Sequence, residues 1–113
     1  MEDGILEFDD LTSLVLDLVD QIPAGTVTTY GDIGKVVSTG PRQIGRIMAT
    51  SGQFTAWWRV VRADGGSQVA STARTHWDAE GIAYSGETPK VVLRKHRVGI
   101  AELQELVEKL SRA

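Results

Sequence analysis

The chain contains no cysteine. That one absence excludes disulfides, thiolate metal sites and thiol nucleophiles, and it suits a reducing compartment, so a cytoplasmic protein is expected. No run of about eighteen apolar residues occurs, and the opening "MEDGILEFDD" is acidic, without the basic flank and apolar core of a signal peptide. Neither membrane insertion nor export is therefore expected. Low-complexity segments and internal repeats are also missing. Aromatic residues are few, with three tryptophans, two tyrosines and two phenylalanines. Two of the three tryptophans, Trp57 and Trp58, nevertheless stand side by side in "FTAWWRVVRADGG".

What remains is the composition of a folded protein. With 113 residues, 42% of them hydrophobic and 24% charged, the chain can bury one core unaided, so residues 1–113 are expected to form a single domain. The net charge of −3 argues against a nucleic-acid partner until its distribution is considered. Acid concentrates in Glu2 to Asp20 and Glu102 to Glu108. Between Lys35 and Arg74, by contrast, Arg42, Arg46, Arg59, Arg62 and Arg74 face a single acid, Asp64. The middle of the chain is basic and its ends are not.

Apolar residues at Leu11, Leu14, Val15, Leu18, Val19 and Ile22 recur at three and four, which predicts an amphipathic helix capped by Asp9 or Asp10 and stopped by Pro23 and Gly25. Thr29 and Asp32 have the spacing of a capping box, opening a second helix that buries Ile33, Val36 and Val37. In "STGPRQ", Ser38 or Thr39 is expected to cap a third helix with Pro41 at its first position. Ile44, Ile47 and Met48 form its apolar stripe. Its opposite face carries Arg42, Gly45, Arg46 and Ala49, two cations with two small residues that would let a helix approach a phosphate backbone closely. Val60 and Val61 with the turn "RADGG" predict a hairpin from Trp58 to about Val69, which would put Trp57 and Trp58 on opposite strand faces. A helix capped by Ser71 or Thr72 and closed by Gly81 should follow, then possible strands in "IAY" and "KVVL". A final helix carries Ile100, Leu103, Leu106, Val107 and Leu110. The fold class expected is mainly α with a small β-hairpin, a winged helix-turn-helix. His76 and His96 read as isolated surface or capping residues.

The blocks "IPAGTVTTYGDIG", "PRQIGRIMA" and "WWRVVRADG", in this order, resemble the O6-alkylguanine-DNA alkyltransferases, and in particular their alkyltransferase-like relatives. The resemblance covers about residues 11–81, and residues 87–113 stand as a C-terminal extension that either packs on the domain or binds a partner. In the enzymes the third block holds the alkyl-accepting cysteine followed by a histidine. Here Trp57 falls on the cysteine position and Trp58 on the histidine position, with Ala56 in place of the usual proline. Alkyl transfer needs a nucleophile that ionises near neutral pH, and an indole is not one. A non-enzymatic protein is expected, without cofactor or metal.

The resemblance further implies a monomer that binds double-stranded DNA containing O6-alkylguanine, flips the damaged nucleotide without repairing it, and marks the site for nucleotide excision repair proteins. It implies that Arg42 enters the base stack in place of the extruded nucleotide and that Tyr30 crowds the phosphate and helps rotate it. Gly45 and Arg46 complete the expected DNA contacts. The lesion pocket would comprise Tyr30, Trp57, Trp58 and Arg59, with Trp57 offering the base an aromatic surface, Trp58 packing and Arg59 bracing. Glu80 resembles the family's glutamate that helps hold the active-site turn. A winged-helix regulator of an undamaged operator, or a protein-interaction module, remains the alternative.

Overall fold

The computed structural model of the chain describes residues 9–112. The acidic stretch that begins at Glu2 lies partly outside them. The first apolar period forms α1 (Asp10–Gln21), capped by Asp9, whose carboxylate accepts a hydrogen bond from the Thr12 N–H at 2.7 Å. After the turn at Pro23, β1 (Thr28–Thr29) leads straight into α2 (Tyr30–Val37). Thr29 caps α2 by accepting from the Asp32 N–H at 3.0 Å. The reciprocal half of the capping box does not form, because the Asp32 carboxylate turns to Arg97 instead, at 2.8 and 3.0 Å.

The third helix, α3 (Pro41–Ser51), starts on Gly40 with no side-chain cap, rather than on Ser38 or Thr39. Both of those residues are already committed to closing α2. Ser38 adopts the left-handed conformation, with φ 63°, and the Thr39 N–H bonds back to the Gly34 carbonyl. Gly34 permits that tight return, since a Cβ there would sit 2.5 Å from the Thr39 carbonyl oxygen. Ile44, Ile47 and Met48 are buried against α1 and α2, and the face bearing Arg42 and Arg46 is left outside.

The expected hairpin between Trp58 and Val69 is absent. Residues Trp57–Arg59 form a single 3-10 turn, and β2 (Val60–Val61) pairs in parallel with β1, Thr28 opposite Val60 and Thr29 opposite Val61. The "RADGG" turn does form, closed by the Arg62 N–H to the Gly66 carbonyl, but the chain leaves it for α4 (Ala70–Glu80) rather than for a return strand. That helix begins ahead of Ser71 and Thr72, without a side-chain cap, and ends at Gly81 in the left-handed conformation. The hairpin of this fold is formed by the two later segments, β3 (Tyr84–Ser85) and β4 (Lys90–Val91), which pair antiparallel. It docks on the "RADGG" turn, where the Val91 N–H bonds to the Gly65 carbonyl. Gly65 has φ +88° and abuts the Val91 backbone, so a side chain is excluded there.

The C-terminal extension is part of the core. A short turn, α5 (Leu93–His96), precedes α6 (Ile100–Arg112), which packs on α1 and α2 with Leu103 and Val107 buried. Backbone bonds from the Val27 N–H to the His96 carbonyl and from the Val98 N–H to the Val27 carbonyl stitch this segment beside β1. His96 is correspondingly a bridge and not a surface residue. Its Nε2 accepts from the Ala83 N–H at 2.9 Å, and its Nδ1 lies 3.0 Å from the Gly25 carbonyl. One apolar cluster joins α1, α2, α3 and α6, a second surrounds Trp77, and Trp57 touches both.

Candidate nucleic-acid interface

An open hollow of about 860 Å³ lies between the start of α2, the outer face of α3, and the segment from Arg62 to Thr72. Four of the sequence-nominated residues line it: Tyr30, Arg42, Gly45 and Trp57. Each is placed by local structure. Tyr30 is the first residue of α2, fixed by the Thr29 cap. Arg42 follows Pro41 in the first turn of α3, where its side chain is exposed. Gly45 comes three residues later, on the same helix face.

No contact among the described residues requires glycine at position 45. A Cβ built there meets no atom within 4 Å, yet glycine inside a helix costs about 1 kcal/mol relative to alanine. Arg46, one turn beyond Arg42, is exposed but does not line the hollow.

Burial pushes the Tyr30 phenol above its ordinary pKa, partly opposed by the charge of Arg62, so at neutral pH the hydroxyl keeps its proton and can donate it in a hydrogen bond. Arg62, which also lines the hollow, was not nominated from the sequence as a site residue.

Trp57 and Trp58 do not alternate across a strand. Within their 3-10 turn the two rings stand 5.8 Å apart at 85°, Trp57 towards the hollow and Trp58 away from it. Trp58 and Arg59 belong instead to a knot around Glu80. The Glu80 carboxylate accepts from Trp58 Nε1 at 2.9 Å, from the Arg59 guanidinium on both oxygens, and from the Gly25 N–H at 3.0 Å. Arg59 also donates to the Ile22 carbonyl at 2.8 Å. The knot ties the tryptophan turn to the end of α1 and to α4. Burial pushes Glu80 up, but the hydrogen bonds from Arg59, the Gly25 N–H and Trp58 outweigh it and hold the carboxyl below its ordinary value. Trp77 completes the support by donating its Nε1 proton to the Trp58 carbonyl at 2.8 Å.

His76 is not isolated, contrary to what its sequence context suggests, for its ring lies flat on Trp58, with centroids 3.9 Å apart and planes at 8°. Thr72, His76 and Glu80 recur every four residues on α4, and Thr72 lines the hollow while Glu80 holds the turn.

The Trp58 indole cannot take the part of a histidine in an acid–base relay. An indole N–H is a donor without a lone pair to receive a proton, and the neighbouring carboxylate is ionised and fully occupied by donors. Together with the absence of any thiol from the chain, this removes alkyl transfer to a cysteine of its own.

A helix-turn-helix whose outer face opens beside a hollow, with a small hairpin docked behind it, defines a winged-helix DNA-binding domain. Comparison with known families narrows this. Residues 10–82 match the family described as 6-O-methylguanine DNA methyltransferase, DNA binding domain, and the chain belongs to that family, in a form that lacks the acceptor thiol. A methylated-DNA–protein-cysteine methyltransferase of Methanopyrus kandleri is 49% identical over 53 residues, 45% of this chain and 40% of that protein. The chain thus matches well under half the length of that relative. A DNA base-flipping protein of Vibrio parahaemolyticus is 29% identical over 97 residues, 79% of this chain and 96% of that one. Among solved structures, S. pombe Atl1 in complex with damaged DNA containing O6-carboxymethylguanine superposes with a TM-score of 0.72 at 24% identity, covering 83% of this chain and 99% of that one. That likeness establishes a shared fold. Among the described residues no helix is long and apolar enough to cross a membrane.

Proposed function

We propose that this protein recognises O6-alkylguanine in duplex DNA by rotating the damaged nucleotide into the hollow, and holds it there without repairing it. One observation carries the reading: a single hollow gathers Tyr30, Arg42 and Gly45 of the helix-turn-helix with Trp57, the residue that the resemblance of its block puts at the acceptor position. In this reading α3 approaches the backbone along Gly45, Arg46 meets phosphate, and Arg42 fills the vacated place in the stack, where a planar guanidinium can both stack and hydrogen-bond. Tyr30 gives a rigid wall with a hydroxyl tip at the start of α2. Trp57 offers the extruded base an aromatic contact of about 1–3 kcal/mol, comparable to the few kcal/mol that extrusion costs. An alkylated guanine pairs poorly and so costs less to extrude, which favours damaged sites from the outset. Trp58 and Arg59 serve the site from behind, through the Glu80 knot. Because the lesion survives binding, removal falls to other proteins, and the protein acts as a mark for nucleotide excision repair.

The test is a titration against matched duplexes containing guanine or O6-methylguanine at one stated salt concentration, followed by digestion and analysis of the bases. The modified duplex should bind more tightly and the lesion should be recovered intact. Equal affinity across several sequence contexts would remove the damage-recognition reading, and recovery of guanine would contradict the chemistry.

A further inference from the structure

Strand pairing brings Tyr30 and Arg62 together. The parallel register sets Thr28 opposite Val60 and Thr29 opposite Val61, so Tyr30 and Arg62 are the residues that leave the two strands at the same end, in the pleat phase of Thr28 and Val60. Both line the hollow, and the charge of Arg62 is felt at the Tyr30 phenol. The turn that follows fixes the arginine at its backbone: its N–H bonds to the Gly66 carbonyl at 2.9 Å, and its carbonyl accepts from the Gly65 N–H at 2.8 Å. Its side chain is exposed and, among the described residues, enters no ion pair. The one acid of the turn, Asp64, is engaged instead by the Gly66 N–H at 2.9 Å and by Lys90 at 3.1 Å. Among the residues lining the hollow there is no Asp or Glu.

We infer that Arg62 is a phosphate-binding residue for the extruded nucleotide: beside Tyr30 in the hollow, its guanidinium takes a backbone phosphate flanking the lesion once the nucleotide has rotated in, and not before. This rests on the reading that the hollow receives the flipped base. A base that rotates into the hollow draws its phosphodiester after it, and an anion brought beside Met48, Trp57 and Val60 needs a compensating charge. Tyr30 supplies a hydroxyl proton but no charge. Arg42, in that reading, is away in the base stack, which leaves Arg62 as the cation lining the hollow. A guanidinium fork and a phenol hydroxyl on neighbouring strand ends can serve one phosphate together, and charge-assisted bonds of this kind are the strong ones. Because the contact forms only after rotation, it favours the flipped state, whereas Arg46 on the outer face of α3 meets DNA whether or not a nucleotide is flipped.

The test is a cycle between this side chain and a single phosphate, carried out with the full chain. Duplexes containing O6-methylguanine are prepared with an uncharged methylphosphonate at one or other of the two phosphates flanking the lesion, and are titrated with the wild-type protein, Arg62→Gln and Arg62→Lys. Neutralising one of the two phosphates should cost the wild type about tenfold in affinity, the scale of one charge-assisted hydrogen bond. Arg62→Gln should lose the same factor on the unsubstituted lesion duplex, nothing further on the neutralised one, and nothing on a duplex with guanine in place of the lesion. Arg62→Lys, which keeps the charge without the fork, should lose less. A merely structural role for Arg62 would not couple to one phosphate. Losses that multiply independently at both phosphates overturn the proposal, and so does a loss shared equally by modified and unmodified duplexes, which would make Arg62 an ordinary backbone contact. A wild type that prefers the modified duplex without this coupling removes the role of Arg62 alone. A wild type with no such preference removes the damage-recognition reading, and the proposal with it.

Discussion

A guanidinium that fills a gap in a base stack and one that meets a phosphate are the same group, and only position separates Arg42 from Arg46. Arg42 lines the hollow and Arg46 does not. Arg42→Ala should therefore reduce discrimination between modified and normal duplexes by about 1–3 kcal/mol, the scale of one stacking contact. Arg46→Ala should weaken binding to both duplexes alike and lower the slope of log affinity against log salt by about 1, with discrimination retained. Gly45 supplies an opposite pairing of effects. A Cβ there meets nothing, so Gly45→Ala should stabilise the protein by about 1 kcal/mol in urea denaturation while lowering affinity for duplex DNA. Equal or higher affinity in that variant would show that α3 does not approach the backbone along this face. At Glu80 the hydrogen bonds that depress the pKa make a pH prediction. The unfolded carboxyl binds a proton at higher pH than the folded one, so its contribution to stability is present above its ordinary value of 4.5 and is lost as pH falls through the lower folded value. Glu80→Gln should flatten the fall in stability below about pH 4.5, measured as the denaturation midpoint against pH. Tyr30, Arg42 and Trp57 are nominated by the resemblance of the blocks that hold them, and the fold brings all three to one hollow. The contacts of His76 and Glu80 were not legible in the sequence, since they join α4 to a turn about twenty residues earlier.

At the scale of elements, the long helices and the β3–β4 hairpin followed from local pattern, and the pairing of β2 with β1 did not. Two valines and a glycine-rich turn suggest a hairpin, but "SQVAS" gives the return strand no alternating apolar face, and the valines find their partner in Thr28 and Thr29, more than thirty residues earlier. A parallel pairing of that separation leaves no local trace. The caps of α1 and α2 form as expected, and that of α3 differs for a related reason: Ser38 and Thr39 are good cap residues in isolation, but closing α2 takes priority over opening α3. The C-terminal helix was legible as a helix, with its destination left open, and α1 and α2 take it up. Leu103 is fully buried there, so Leu103→Ala should cost about 3 kcal/mol, read as a shift in urea midpoint with an unchanged slope. A loss under about 0.5 kcal/mol, typical of surface positions, would mean that α6 is only laid against the domain.

Over the whole molecule, charge and shape agree. A net charge of −3 coexists with a basic central segment whose arginines 42, 46 and 62 lie on or beside the hollow, while acid collects on the terminal helices α1 and α6. Such a distribution can orient an acidic protein on a polyanion, drawing the helix-turn-helix face towards the backbone and turning the other face outward. The fold around that face is held by contacts from far along the chain. Arg97 reaches back to Asp32 beside Tyr30, and Arg59 and Glu80 join α1, the tryptophan turn and α4. Extrusion of a nucleotide by this frame is tested most directly with a fluorescent base analogue placed opposite O6-methylguanine in a duplex, its emission followed during titration with the wild-type protein and with Arg42→Ala. Saturating wild-type protein should change the emission strongly on the modified duplex and little on the unmodified one, and Arg42→Ala should lose most of that change at full occupancy. Saturable binding to the modified duplex with no change in emission, or an identical change with both proteins, would contradict nucleotide flipping by this site.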